Sequence, residues 1–288
     1  MGMAIDDAAG VSGSATQRAQ AGVSGRVPAV EVAALVARYG SRTVLDGVDV
    51  TIPRGEIHVV LGGSGSGKST LLKHMIGLLE PSAGQVRLLG EELHQGGEGA
   101  REALLSRIGV LFQGGALLES LDVAGNVALP LSTRAAAPAE VVAELVRVKL
   151  ELVGLTGKGH LYPRELSGGM RKRAALARAI AADPEVLFCD EPGAGLDPIS
   201  AAALDDLLRS LCQRFGMAIV LISHELTSIR AIADRVTMLA DGKVCAQGTL
   251  AEVQRVDHPF VRDFFGRARD AGSAAPSLWQ RVRPGYPP

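Results

Sequence analysis

Two short stretches of this chain carry residue types suited to gripping phosphate, and a third carries paired acids. The first, Gly62-Gly63-Ser64-Gly65-Ser66-Gly67-Lys68-Ser69-Thr70, fits the pattern G-x-x-x-x-G-K-[ST]. Glycines let a backbone curl tightly enough to aim several N–H groups at phosphate oxygens. Lys68 would add a point charge at the β- and γ-phosphates, and Ser69 a hydroxyl for Mg²⁺. Thr70 falls where an α-phosphate would lie. The second stretch, Leu166-Ser167-Gly168-Gly169-Met170, is a glycine-rich turn opening a predicted helix, whose free N–H groups offer another anion site. Two half-sites for one nucleotide in one chain imply that two copies meet to complete each site.

The acids follow an apolar run. Val186-Leu187-Phe188-Cys189 reads as a buried strand, with Asp190 and Glu191 at its C-terminal end. Open α/β sheets place their chemistry at that end. Adjacent carboxylates there are costly unless a cation or substrate satisfies them. Asp190 would hold the Mg²⁺ shell, and Glu191 would orient and polarise an attacking water. Taken alone the pair could be two surface acids; the phosphate loop upstream decides for function.

The elements that must position these residues are legible in outline. Residues 1–28 are rich in Ala, Gly, Ser and Gln and read as a disordered N-terminal segment. Residues 32–37 and 45–52 read as strands around the turn Gly40-Ser41-Arg42, and 57–61 as a buried parallel strand feeding the glycine loop. A helix over 68–79, ended by Pro81, completes a strand, loop and helix. Strands are expected at 86–89 and 108–112. Residues 115–182 read as mostly helical, with an amphipathic helix over 138–152 and another over 168–182. Strands return at 186–190 and 218–223 around a helix at 199–215, then a hairpin turns at Asp241-Gly242.

Composition narrows the class. The 288 residues are 47% hydrophobic and 21% charged, ordinary for a globular protein. Thirty basic residues against 31 acidic ones leave a net charge of -1, so no basic field exists to hold nucleic acid. Cys189, Cys212 and Cys245 are widely spaced and read as reduced thiols, not a disulfide frame or zinc site. Cys189 is expected to fill a buried strand; a redox-sensitive thiol is the alternative. No apolar run reaches the roughly 18–20 residues of a membrane helix, and no secretory signal opens the chain. Other subunits would have to cross any membrane it serves.

Together these motifs resemble the ATP-binding cassette (ABC) ATPases over about residues 30 to 265. The resemblance implies ATP and Mg²⁺ as cofactors and an α/β fold. That fold has a RecA-like P-loop core with a parallel sheet, an antiparallel β-subdomain and a helical subdomain. The ATPase domain would span 29–266, with a helical insertion at about 115–165 and a tail at 267–288. By resemblance, Gln113 is the glutamine that reaches Mg²⁺ and the attacking water, and His224 the switch histidine at the γ-phosphate. Asp197 belongs to the loop that crosses the dimer axis, and Tyr39 stacks on adenine. Ser167, Gly168 and Gly169 contact the γ-phosphate held by the opposite subunit. Met170 stands where glutamine is more usual, which leaves the phosphate contacts untouched.

A narrower resemblance is to the ATPases of Mla/Mce lipid-transport systems. It rests on Phe112-Gln113-Gly114-Gly115-Ala116-Leu117-Leu118, on Asn126-Val127-Ala128-Leu129-Pro130-Leu131, and on Arg171-Lys172-Arg173 after the second glycine turn. Gly195-Leu196-Asp197-Pro198-Ile199 and Ile222-Ser223-His224-Glu225-Leu226 agree with it. The implied machine is an ATP-sandwich homodimer on the cytoplasmic side of the inner membrane. It would bear on two transmembrane permease subunits near residues 113–120, with Mce-type proteins carrying phospholipid. Two rival readings remain. One is the ATPase of a small-molecule importer or drug exporter; the other is a non-transport ABC protein such as an iron–sulfur assembly ATPase. In the tail, Ser277-Leu278-Trp279-Gln280-Arg281-Val282-Arg283 reads as a disordered end or as a segment docking on the partner ATPase.

Overall fold

The computed structural model describes residues 27–132 and 138–272. The expected disordered N-terminus, save its last two residues, and the Trp279 segment lie outside the described residues. Strand β1 (Val30–Tyr39) turns through Gly40 and Ser41 into β2 (Arg42–Ile52). Strand β3 (Ile57–Gly62), buried at every position, runs into the glycine loop and α1 (Lys68–Met75). Then come β4 (Ala83–Leu88), β5 (Glu91–Glu92), α2 (Gly97–Leu105) and β6 (Ile108–Leu111). Helices α3 (Val123–Ser132), α4 (Ala139–Leu152) and α5 (Gly168–Ala179) pack on one another. The chain re-enters the core with β7 (Val186–Asp190), α6 (Pro198–Phe215), β8 (Ala218–Ile222) and α7 (Leu226–Ile232). It closes with the hairpin β9 (Arg235–Ala240) and β10 (Lys243–Gly248), followed by α8 (Leu250–Val253) and α9 (Pro259–Gly272).

The core sheet has the order β10-β9-β3-β8-β7-β6 and is parallel throughout except at the β9–β10 edge. Its period of two divides the interior cleanly. Ile57, Val59, Leu61, Leu187, Cys189 and Leu221 face a core shared with α3, α5 and α6. Val60, Val186, Phe188, Val220 and Ile222 face a second core shared with β1, β2 and α1. Burial on both faces is why these strands read as continuous apolar runs. The smaller sheet, β2-β1-β4-β5, is antiparallel. This is the expected architecture of parallel core, antiparallel sub-sheet and helical unit.

Three local expectations are corrected. Helix α1 stops at Met75, not at residue 79, because Gly77 takes a left-handed φ of 74°. Its N–H then reaches the His74 carbonyl at 3.1 Å, while that of Leu78 reaches Lys73 at 2.8 Å. Glycine thus ends the helix ahead of the proline. Helix α2 falls in the stretch between the strands expected at 86–89 and 108–112, for which no helix was expected. Helix α9 continues to Gly272, across the boundary expected at 266. The hairpin at Asp241-Gly242 forms as expected, with φ of 48° and 76° matching a two-residue primed turn.

Candidate functional site

Where β3 ends, the chain curls before α1 begins at Lys68. A Cβ on Gly62 would collide with the Ser66 side chain and the Leu239 carbonyl, and one on Gly67 with Leu45 of β2. Close approach therefore demands glycine at both positions. No side chain caps α1, so its first-turn N–H groups are without an acceptor of that kind. Lys68, Ser69 and Thr70 line a cleft of about 250 Å³ with Gly65 and Val44. The Ser66 hydroxyl is buried with no hydrogen-bond partner. Lys68 Nζ donates to the carbonyls of Gly62 at 2.9 Å and Gly63 at 2.8 Å. Burial pushes its pKa down, while the charges of Glu191 and Asp190 hold it up. An orphaned hydroxyl, uncapped N–H groups and a half-buried ammonium together suit a phosphate chain.

The acids lie beside this loop. Burial raises the pKa of the Asp190 carboxyl and the charge of Glu191 raises it further, against the pull of Lys68, Lys73 and Lys172. Its cost would be relieved by a cation. The hydroxyl of Ser69, the amide oxygen of Gln113 and the Asp190 carboxylate are hard oxygen donors of the kind Mg²⁺ takes, alongside phosphate and water. Glu191 sits in a left-handed backbone conformation, φ 44°, that non-glycine residues seldom adopt. Its N–H donates to the Ile222 carbonyl at 2.9 Å, tying the turn to β8. Gln113 Nε2 donates to Glu191 Oε2 at 2.9 Å, and His224 Nδ1 lies 2.9 Å from Oε1. Three residues from three strand ends, β6, β7 and β8, thus meet at one carboxylate.

The second glycine turn keeps different company. Ser167 caps α5, its Oγ accepting from the Met170 N–H at 3.2 Å, so its own proton is free to be donated. A Cβ on Gly168 would meet Leu196, and one on Gly169 would meet Ser200 at 3.4 Å. These neighbours belong to the loop before α6 and to its first turn, not to the loop at 62–70. Asp197 caps α6, accepting from the N–H groups of Ile199 at 3.1 Å and Ser200 at 3.0 Å. Hydrogen bonds from Ser200 hold its carboxyl below the usual range. Ile199, just beyond, is 83% exposed. Tyr39 stands half-exposed at the end of β1, paired with Arg42 at the start of the strand that packs on Gly67.

Sequence reasoning missed the residues that hold the Gln113 loop. Buried Lys172 donates through Nζ to the Gln113 carbonyl, and Arg178 donates to the carbonyls of Gly115 at 2.9 Å and Ala116 at 2.7 Å. Asn126, fully buried, donates to the carbonyls of Leu118, Leu121 and Asp122 and accepts from the Leu118 N–H at 2.8 Å. A basic run reads as a solvated face, so only the alanines around Lys172 hinted at burial. Of the two leucines in this loop, Leu117 packs against the core while Leu118, 44% exposed, stands clear. Cys189 is wholly buried and its thiol pKa is driven up by desolvation, so the strand-filler reading holds.

A family model described as ABC transporter matches residues 45–194. MlaF, the ATP-binding protein of an intermembrane phospholipid transport system in Escherichia coli, is 39% identical over 231 residues, covering 80% of this chain and 86% of that protein. The methionine import ATP-binding protein MetN of Caulobacter vibrioides is 40% identical over 246 residues, covering 84% and 73%. Among solved structures, the dimeric post-hydrolysis cassette MJ0796, bound to ADP and Pi, superposes with a TM-score of 0.70 at 28% identity, covering 77% of this chain and 98% of that one.

Proposed function

This chain belongs to the ABC transporter family as an ATP-binding, ATP-hydrolysing subunit, and from that premise we propose that it drives lipid transport across a bacterial envelope. The observation that carries the catalytic reading is the meeting of Gln113, Glu191 and His224 beside Lys68 and Asp190. ATP would lie along the loop at 62–70, its phosphates on the backbone N–H groups, with Lys68 leaving the Gly62 and Gly63 carbonyls for the β- and γ-phosphates. Tyr39 would face the adenine. Mg²⁺, held by Ser69, Asp190 and Gln113, would offset phosphate charge. Glu191 would orient the attacking water, and His224 would sense the γ-phosphate. The nucleotide would be completed by Ser167, Gly168 and Gly169 of a second copy, with Asp197 and Ile199 lying at the axis. Such catalysis is positioning and charge stabilisation, with little covalent work for the protein.

Support for a lipid cargo comes from the sequence motifs shared with Mla/Mce ATPases and from the likeness to MlaF. The likeness to MetN, at much the same identity, favours a second reading as a small-molecule importer. Among the described residues no helix is long and apolar enough to cross a membrane. On the likeness to MlaF, the chain would act at the cytoplasmic face of the inner membrane, docked on permease subunits through the loop that presents Leu118. Purification of the tagged chain from membranes separates the readings. Phospholipid-bearing Mce-type proteins and a permease should come with it; a soluble solute-binding protein in their place would overturn the lipid assignment. Leu118→Glu should shed the ATPase from membranes while leaving its melting temperature unchanged. Leu117 is unsuited to that test, because it also packs on the core.

A further inference from the structure

We propose that Phe260, on the last helix, is a positioning residue for ATP binding: its ring is the back wall of the glycine loop at Gly63. The inference rests on the reading of residues 62–70 as the phosphate cradle. Gly63, unlike Gly62, Gly65 and Gly67, has no positive φ to require glycine. What crowds a side chain there is the ring: a Cβ on Gly63 would lie 3.3 Å from Cε2 and 3.4 Å from Cζ of Phe260, so the ring edge faces Gly63 across little more than the space of one methyl group.

The ring is held by a fixed element. Val261 and Phe265 of α9 are buried in the same core as Val236, Met238 and Val253. Phe264 stacks edge-on against Phe265 at 5.3 Å and lies 6.2 Å from the Phe260 ring. The Phe260 N–H donates to His258 Nδ1 at 3.2 Å, pinning the helix start. On the other side of the contact, the Gly63 carbonyl accepts from Lys68 Nζ at 2.8 Å and from the Ser66 N–H at 3.3 Å. One peptide therefore sets the turn of the loop and, before nucleotide arrives, shares with Gly62 the parked lysine, and Phe260 sets that peptide. Removing the ring frees the node on which both depend. Misplacement of about 1 Å at such a position is worth up to ~10²-fold in function.

The experiment measures Mg-ATP affinity and steady-state turnover of the full chain, with melting temperature alongside. Phe260→Ala should weaken ATP binding and raise KM about five- to tenfold with kcat changed less than about twofold. Phe260→Leu should restore most of the affinity by refilling the contact. Leu208→Ala, which opens the core under α6 and leaves α9 untouched, should lower the melting temperature and leave affinity alone. Wild-type affinity in Phe260→Ala, or an equal loss in Leu208→Ala, overturns the inference. Lys68→Ala separates the premise: retained affinity there sinks the cradle itself, whereas its loss with Phe260→Ala unaffected sinks only the role of the ring.

Discussion

Glu191 satisfies three demands that seldom coincide. Its backbone is left-handed, its two oxygens are claimed by Gln113 and His224, and its neighbour Asp190 carries a carboxyl held above the usual range by burial and by Glu191 itself. Strained geometry of this kind survives where the surrounding structure imposes it, which is characteristic of functional sites. A carboxyl with a raised folded-state pKa costs stability at neutral pH, and the cost fades only as pH falls through that pKa toward the ordinary unfolded value. Asp190→Asn should therefore raise the melting temperature of the nucleotide-free chain, by about 2–4 °C, while abolishing Mg²⁺-dependent hydrolysis. A lower melting temperature would show that Asp190 is stabilised by its lysines more than it is penalised by burial. Glu191→Gln should keep ATP affinity and slow turnover by ~10²–10⁴-fold. Near-normal turnover would assign the water to another group.

At the scale of elements, α5 is a rod with a job at each end. Its N-terminus is the capped glycine turn at Ser167; further along, Lys172 and Arg178 grip the carbonyls of residues 113, 115 and 116. Arg178→Met keeps the buried stem but drops two hydrogen bonds. Amide exchange at residues 115–118 should quicken and turnover fall about three- to tenfold, with ATP affinity within about twofold. Unchanged exchange would mean the loop is held by Asn126 instead. These grips also mark the limit of what sequence discloses. The loop at 62–70 and the pair at Asp190 and Glu191 were readable because each sits in a contiguous strand, turn and helix, where residue type implies role. The grip of Lys172 and Arg178 was not, because their acceptors are backbone carbonyls, which every residue has. Helix α2 was hidden by glycines that occupy left-handed positions at its start. The contact of Phe260 with Gly63 joins distant parts of the chain and leaves no periodic trace.

At the scale of the molecule, the glycine turn at 167–169 faces Leu196 and Ser200, and in the function proposed above the nucleotide loop is completed by that turn of another copy. Mixing a Lys68→Ala chain with a Ser167→Arg chain tests this, because in a mixed two-fold dimer both lesions fall on one site and the other is whole. Activity should return to about a quarter of wild type, half the dimers being mixed and each having one good site. Neither variant alone should show it, and failure of the mixture to occlude any nucleotide would overturn the trans arrangement. Sheet order carries a different lesson. Strand β3, which launches the glycine loop, is flanked by β8 and β9, with Ile57 paired to Ile219 and His58 to Arg235. During synthesis, which proceeds from the N-terminus, the loop is made early and waits for both of its flanking strands. A ribosome that stalls before β9 therefore releases a fragment whose nucleotide loop has no finished sheet to stand on. Competence to grip ATP is a property the chain acquires only once β9 has been made.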